Sequence, residues 1–206
     1  MAVQLDHVLF AVANASAPHL PRQYGLEPYE GGRHPGWGTA NWIVPLGDAY
    51  LELVTVVDES EARGSAFGRW VAETVRAGGG PLGWAVRPDD LDVSAARLGL
   101  DIADGSRTTP AGKCIEWRSA GIEEAARRPW LPFFIEWGDP ASFPGKTASP
   151  DAAIVRVELE GDAEGLSEWL GVDSLPIEVR PGAAGVTALV LEGASGVLTL
   201  ARPSGF

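Results

Sequence analysis

A pattern of one strand, one helix and three strands recurs along this sequence, and such a repeat limits the folds that the chain can adopt. The first copy spans residues 1–57 and the second spans residues 81–138, with a helical connection over residues 58–80 between them. A Pro/Gly/Ser-rich linker, residues 139–150, precedes a third, degenerate copy over residues 151–206. Short strands separated by Gly and Pro turns predict an α+β fold.

The composition is that of an ordinary globular chain and narrows the range of partners. With 206 residues, 45% of them apolar and 21% charged, the chain can bury a substantial core. Sixteen basic residues against 28 acidic ones give a formal net charge of −12, which predicts that neither nucleic acid nor a membrane surface is a partner. No window approaches the roughly 20 apolar residues of a membrane span. A start without a leader-like pattern and a single cysteine, Cys114, predict a cytoplasmic location.

His7 lies near the start of an apolar run, residues 5–12, that is typical of a buried strand. Side chains alternate along a strand, so His7 shares a face with Leu5 and Leu9. An unpaired buried polar group costs about 1–3 kcal/mol, so the imidazole needs a partner. The pattern leaves two interpretations open, a hydrogen-bonded core histidine and a functional group.

Two glutamates occupy similar places in the first two copies. Glu52 lies within the apolar run 50–57, and Glu136 lies within the run 131–137. A buried carboxylate must be compensated by a partner, which favours a functional role for the pair. The alternative is that each carboxylate lies on the outward face of an edge strand.

A glycine-rich stretch, residues 31–41, holds several side chains that could recognise a ligand. Arg33 can bind an anion, His34 can transfer a proton and Asn41 can bind through its amide. Arg107 stands at a matching place in the second copy, where it could join Arg33 as an anion clamp. The alternative is a hairpin whose polar side chains are merely solvated.

Five short segments of the sequence together resemble the glyoxalase-like domain family of the vicinal oxygen chelate superfamily. They lie at residues 5–8, 32–41, 50–54, 83–91 and 132–137. The resemblance covers residues 4–140 and is specific for the family. It does not select a reaction, because lyases, dioxygenases, epimerases and antibiotic-binding proteins share this fold.

The resemblance implies that the paired copies curve into a cup with a divalent metal ion on its floor. The ligand positions of the family correspond here to His7, Glu52, Trp84 and Glu136. Of these, His7, Glu52 and Glu136 would hold the ion, and Glu52 or Glu136 would also act catalytically by moving a proton. Trp84 cannot bind a metal and would instead form an apolar wall against the substrate. This replacement leaves open whether an ion is bound at all.

The resemblance also implies that the glycine-rich strand pair lines the mouth of the cup, so that Arg33, His34 and Asn41, with Arg107, contact the substrate. One hypothesis is a metal-dependent enzyme of lyase, isomerase or dioxygenase type that acts on a small substrate with vicinal oxygens. The alternative is a metal-free protein that binds or sequesters a small molecule, as bleomycin-resistance proteins do, between aromatic walls supplied by Trp42, Trp84, Trp117 and Trp137.

The third copy has no histidine and no carboxylate inside an apolar strand. Its role is therefore predicted to be packing, either against the cup or against another subunit. A homodimer is one assembly that would use this surface.

Overall fold

Eight strands close into a barrel in this computed structural model, which describes residues 2–146, 150–171, 174–194 and 196–201. The barrel strands are β1 (Val3–Ala11), β2 (Tyr29–His34), β3 (Thr39–Pro45), β4 (Tyr50–Val56), β5 (Gly80–Pro88), β6 (Ile102–Thr108), β7 (Cys114–Ala120) and β8 (Phe133–Trp137). Their order around the barrel is β1-β4-β3-β2-β6-β7-β8-β5. The predicted mixed fold with a strongly curved sheet is confirmed, but the sheet closes on itself where an open cup was predicted.

The C-terminal part of the chain forms a separate four-stranded sheet in the order β10-β9-β11-β12. Its strands are β9 (Ala152–Glu160), β10 (Ile177–Arg180), β11 (Gly185–Gly193) and β12 (Gly196–Ala201). The boundaries of the three predicted copies and the homodimer stay predictions. The predicted linker and the first and third copies extend over residues that lie outside the described ranges, namely 1, 147–149, 172–173, 195 and 202–206.

The helices are short, and their ends follow local capping rules. They are α1 (His19–Arg22), α2 (Glu59–Gly64), α3 (Ala66–Arg76), α4 (Leu91–Leu98), α5 (Ile122–Arg127) and α6 (Ala163–Leu170). Helix α4 begins where the Asp90 side chain accepts a hydrogen bond from the Val93 N–H, and it ends at Gly99 in the left-handed conformation. Within the described residues, no helix has the length and apolar character that crossing a membrane requires.

Alternate residues of the barrel strands face two separate apolar clusters. In β1, Leu9 and Ala11 belong to an inner cluster inside the barrel, whereas Val8 and Phe10 belong to an outer cluster around it. The outer cluster continues into the C-terminal part of the chain through the buried side chains of Val157, Leu159 and Leu166. The C-terminal sheet therefore packs against the outside of the barrel.

An irregularity in β1 brings two neighbouring polar residues into the interior. The pairing of β1 with β5 changes register between Leu5 and His7. Strict alternation would send Asp6 and His7 to opposite faces, but the change of register lets Asp6 Oδ1 lie 2.7 Å from His7 Nδ1, and the two residues are buried, with 0% and 2% of their surfaces exposed.

A second irregularity lies in β2, where the pairing with β3 changes register between Glu30 and Gly32. An extra residue at such a bulge reverses the alternation of faces in the rest of the strand. His34 consequently points into the barrel, opposite Thr39, and Arg33 points away from it.

Candidate functional site

The interior of the barrel contains a cavity of about 30 Å³ that is lined by both polar and aromatic side chains. Its polar residues are His7, His34, Asn41, Tyr50, Glu52 and Arg107, and its apolar walls are Leu9, Trp37, Phe67, Trp117, Phe133, Ile135 and Trp137. A water molecule needs roughly 10–15 Å³ by this measure, so the cavity admits only a few atoms as it stands. A larger ligand requires the aromatic walls to move apart.

The carboxylate of Glu52 forms the centre of the polar part of the cavity. It is 5% exposed, and its Oε1 accepts a hydrogen bond of 2.9 Å from the Asn41 amide. His7 Nε2 lies 3.3 Å from Oε2, and His34 Nε2 lies 4.0 Å from Oε1. Three polar groups thus converge on one buried carboxylate.

The imidazole of His7 is held rigidly from its other side. Its Nδ1 lies 2.7 Å from Asp6 Oδ1, and its ring stacks on Tyr50 with centroids 4.6 Å apart. Asp6 also accepts hydrogen bonds of 2.8 Å from Arg87 and 3.0 Å from the Trp137 indole. Because a carboxylate only accepts hydrogen bonds, Nδ1 is the donor, which leaves Nε2 free to exchange a proton with Glu52.

His34 enters the cavity from β2 and is fixed by a hydrogen bond of 2.8 Å between its Nδ1 and Thr39 Oγ1. Burial lowers the pKa of His34 from 6.5 to about 4, and the nearby charge of Arg107 acts in the same direction, against an opposing effect of Glu52. The ring is therefore neutral at pH 7 and acts as a polar group beside the carboxylate.

Acidification is expected to destabilise the protein through His34, whose pKa is about 4 in the folded state and 6.5 in an unperturbed histidine. Between these values the unfolded chain takes up a proton that the folded protein excludes, so the free energy of unfolding falls as the pH drops through this window. The full loss is on the order of 3 kcal/mol. Urea unfolding across this pH range should show a smaller loss for His34→Gln than for the wild type, and equal losses would contradict the assignment.

Arg107 brings a buried cation into the same cavity. The side chain is 3% exposed, and its Nε and Nη1 atoms have no hydrogen-bond partner in the part of the chain that the structure describes. Among the described residues, the buried side-chain nitrogen and oxygen atoms without a partner are these two and Asn41 Oδ1, and all three belong to the lining of this cavity. Nearby, burial raises the pKa of Tyr29, while the charge of Arg107 and a hydrogen bond to it oppose that rise.

The predicted ligand Glu136 does not lie with His7 and Glu52, so this part of the prediction is wrong. Its neighbours Ile135 and Trp137 face the cavity, and alternation along β8 turns Glu136 to the outside of the barrel. There its carboxylate accepts a hydrogen bond of 2.8 Å from Nε of Arg118, the residue opposite it on β7.

Two predicted substrate contacts also lie outside the cavity. Trp84 is fully buried in the outer cluster, where its indole donates a hydrogen bond of 3.2 Å to the Trp130 carbonyl, so it is not a wall of the site. Arg33 is turned outward by the bulge in β2 and bonds Glu61 over 2.9 Å at a half-exposed position. The predicted contacts His34, Asn41 and Arg107 do line the cavity.

The residues present do not form the predicted three-ligand metal site. His7 and Glu52 remain together, but Glu136 is absent from the cavity, and the described residues contain no group of three His, Cys, Asp or Glu side chains arranged to hold a metal ion. The buried guanidinium of Arg107 in the same cavity further opposes a second cation, because charges of like sign repel strongly at low dielectric.

Some residues of the site were not predicted from the sequence. Asp6 and Tyr50 hold His7, and Tyr29 lies beside Arg107. The adjacent pair Asp6-His7 is a visible signal, but regular alternation places the two side chains on opposite faces, and only the bulge in β1 reunites them.

Comparison with known proteins identifies the family. A family model described as a glyoxalase-like domain matches residues 5–171, so the chain belongs to the glyoxalase-like domain family. No curated protein matches the chain. The family match extends past the barrel into the C-terminal part of the chain.

Solved structures resemble the chain at low sequence identity. A hypothetical protein from Staphylococcus aureus is similar over 98% of this chain and 87% of its own, with a TM-score of 0.66 and 14% identity. The methylmalonyl-CoA epimerase of Mycobacterium tuberculosis matches 65% of this chain and 86% of its own, with a TM-score of 0.43 and 20% identity. A variant of the Streptomyces coelicolor methylmalonyl-CoA epimerase in complex with 2-nitronate-propionyl-CoA matches 66% of this chain and 98% of its own, with a TM-score of 0.47 and 19% identity.

Proposed function

We propose that this protein is an enzyme that moves a proton at a carbon atom next to a carbonyl group of a small substrate with neighbouring oxygens. The observation that carries the proposal is the buried carboxylate of Glu52, which faces the cavity and is surrounded by His7, His34 and Asn41. An ionised carboxylate with restricted hydration in an enclosed cavity is a suitable general base for this chemistry.

Glu52 is the proton acceptor in this proposal. It takes the proton from the carbon, and the electron pair of the broken C–H bond moves into the carbonyl group to give an enolate. Return of the proton to carbon completes an isomerisation, and loss of a leaving group from the enolate completes an elimination. Asn41 fixes one oxygen of the carboxylate, and His7, itself fixed by Asp6, can take over the proton at the other.

The rival hypothesis is a protein that binds a small molecule without changing it. The observation in its favour is the set of aromatic walls of the cavity, which suit a flat or apolar ligand. Of the aromatic walls predicted for such a protein, Trp117 and Trp137 line the cavity, whereas Trp42 and Trp84 pack in the outer cluster.

Hydrogen exchange at carbon distinguishes the two hypotheses. Small 2-oxo acids, 2-hydroxy acids and the corresponding amides and ketones are first ranked by the shift that each causes in the melting temperature. The compounds that bind are then incubated with the protein in D₂O, and ¹H NMR follows loss of the signal from the hydrogen next to the carbonyl. Exchange faster than in buffer supports the enzyme, and binding without any exchange supports the binding protein.

A further inference from the structure

Arg107 differs from other arginines that reach the barrel, because no acidic side chain within the described ranges pairs with it. Arg33 bonds Glu61, Arg87 bonds Asp6 and Arg118 bonds Glu136, each within an ion pair at the edge or outside of the barrel. Arg107 is more deeply buried than these three, yet two of its three guanidinium nitrogens have no hydrogen-bond partner among the residues described. A buried cation with unsatisfied donors is strongly unfavourable, so a fold that keeps one in a cavity has a use for it.

The backbone around Arg107 is shaped to admit this side chain. A Cβ atom at Gly31 would lie 2.1 Å from Asn41 Oδ1 and 2.4 Å from Arg107 Nη1, so any other residue there would displace one of the two. Only a glycine leaves this space to the guanidinium and the amide. The glycine at position 31 therefore leaves the room that Arg107 Nη1 occupies.

Asn41 joins the cation to the proposed base. Its Nδ2 donates to Glu52, while its Oδ1, the third buried atom without a partner in the described part of the chain, lies on the side of Gly31 and Arg107. The lining of the cavity thus holds a carboxylate and a cation with free donors, with Asn41 next to both. A ligand that spans them needs an anionic group for Arg107 and a carbon acid for Glu52.

We infer that Arg107 binds the carboxylate group of the substrate, and that the substrates are small carboxylic acids with an oxygen on the adjacent carbon, such as 2-oxo and 2-hydroxy acids. This inference rests on the proposed function for the position of the reacting carbon beside Glu52. A carboxylate suits the site better than a phosphate group because it is smaller and because its single negative charge matches the single charge of Arg107 and adds less repulsion against Glu52 in the same cavity.

The test compares pyruvate with its neutral isostere pyruvamide in calorimetric titrations of the wild type and three variants. The wild type is expected to bind pyruvate about 10- to 100-fold more tightly, which is the usual value of a hydrogen bond to a charged group. Arg107→Gln should lose this preference, and Arg107→Lys should keep part of it because the charge remains. Arg33→Gln is the matched control, an arginine one strand away on the outer face, and should behave as the wild type.

Several outcomes would overturn the inference. They are equal binding of pyruvate and pyruvamide by the wild type, failure of pyruvate to bind the wild type, and an unchanged preference in Arg107→Gln. Should Arg107→Gln fail to fold, Arg107→Lys decides. A reduced preference supports the inference, whereas a preference as large as that of the wild type overturns it, because a lysine cannot reproduce the paired hydrogen bonds of a guanidinium.

The experiment also separates this inference from the proposed function. If pyruvate binds through Arg107 but its methyl hydrogens do not exchange with D₂O, the assignment of Glu52 as the base is wrong, and the assignment of Arg107 as the carboxylate-binding residue is supported. If exchange occurs and Arg107→Gln does not change the preference for pyruvate, the assignment of Arg107 is wrong, and the assignment of Glu52 as the base is supported.

Discussion

Replacing Glu52 with Gln is expected to lower the rate of hydrogen exchange at carbon by about 10²- to 10⁴-fold, the usual contribution of a general base. The side chain keeps its length and its place beside Asn41, but an amide cannot accept the proton. ¹H NMR in D₂O measures the rate, and a calorimetric titration of the same variant should still detect binding of the carboxylate.

Glu136→Gln is the matched control for this prediction. The sequence gives the two glutamates equivalent places, whereas the structure pairs Glu136 with Arg118 outside the cavity. Glu136→Gln should therefore exchange at a rate close to that of the wild type. A fall in rate of similar size in both variants would show that the loss arises from folding or charge in general and would remove Glu52 as the base.

Trp84→Ala is expected to lower the free energy of unfolding by about 3–5 kcal/mol, the range for truncating a large buried side chain. The indole is fully buried in the outer cluster that the barrel shares with the C-terminal sheet, and its N–H bonds the Trp130 carbonyl. Urea unfolding followed by circular dichroism measures the change, and the truncation should loosen both parts of the fold together.

Trp84→Phe separates packing from a role in the site. Phenylalanine keeps most of the buried surface and loses the hydrogen bond, so the free energy of unfolding should fall by about 1–3 kcal/mol. Because Trp84 does not touch the cavity, ligand binding by the folded Phe variant should match that of the wild type. Weaker binding by this variant would restore Trp84 as a wall of the site.

The composition of a strand decides how well its inward face can be predicted. In β8 every residue except Glu136 is apolar, and four of the five are buried, so both faces contact a cluster and alternation cannot be read from hydrophobicity. Glu52 in β4 posed the same ambiguity, since all but the last residue of that strand are buried. The strands were therefore predictable, and the faces of these two glutamates were not.

The polar residues of the cavity illustrate a second limit of prediction from the sequence. Arg107 and Asn41 line the cavity as predicted for residues near a substrate, but the surroundings that leave two Arg107 nitrogens unpaired depend on the side chains that other strands of the barrel bring near it. The partner of His7 could be expected to exist but could not be named, because Asp6 reaches it only through a change of register. Such changes depend on the pairing of distant segments, which local patterns do not specify.

The bulge in β2 has a consequence for how this family can diversify. One residue more or fewer between Glu30 and Gly32 would turn the rest of the strand over, exchanging the neutral ring of His34 for the guanidinium of Arg33 in the interior. A single-codon deletion could thus replace a neutral hydrogen-bonding ring in the interior by a cation without any substitution. Alignments of relatives that ignore this position would equate residues that face opposite ways.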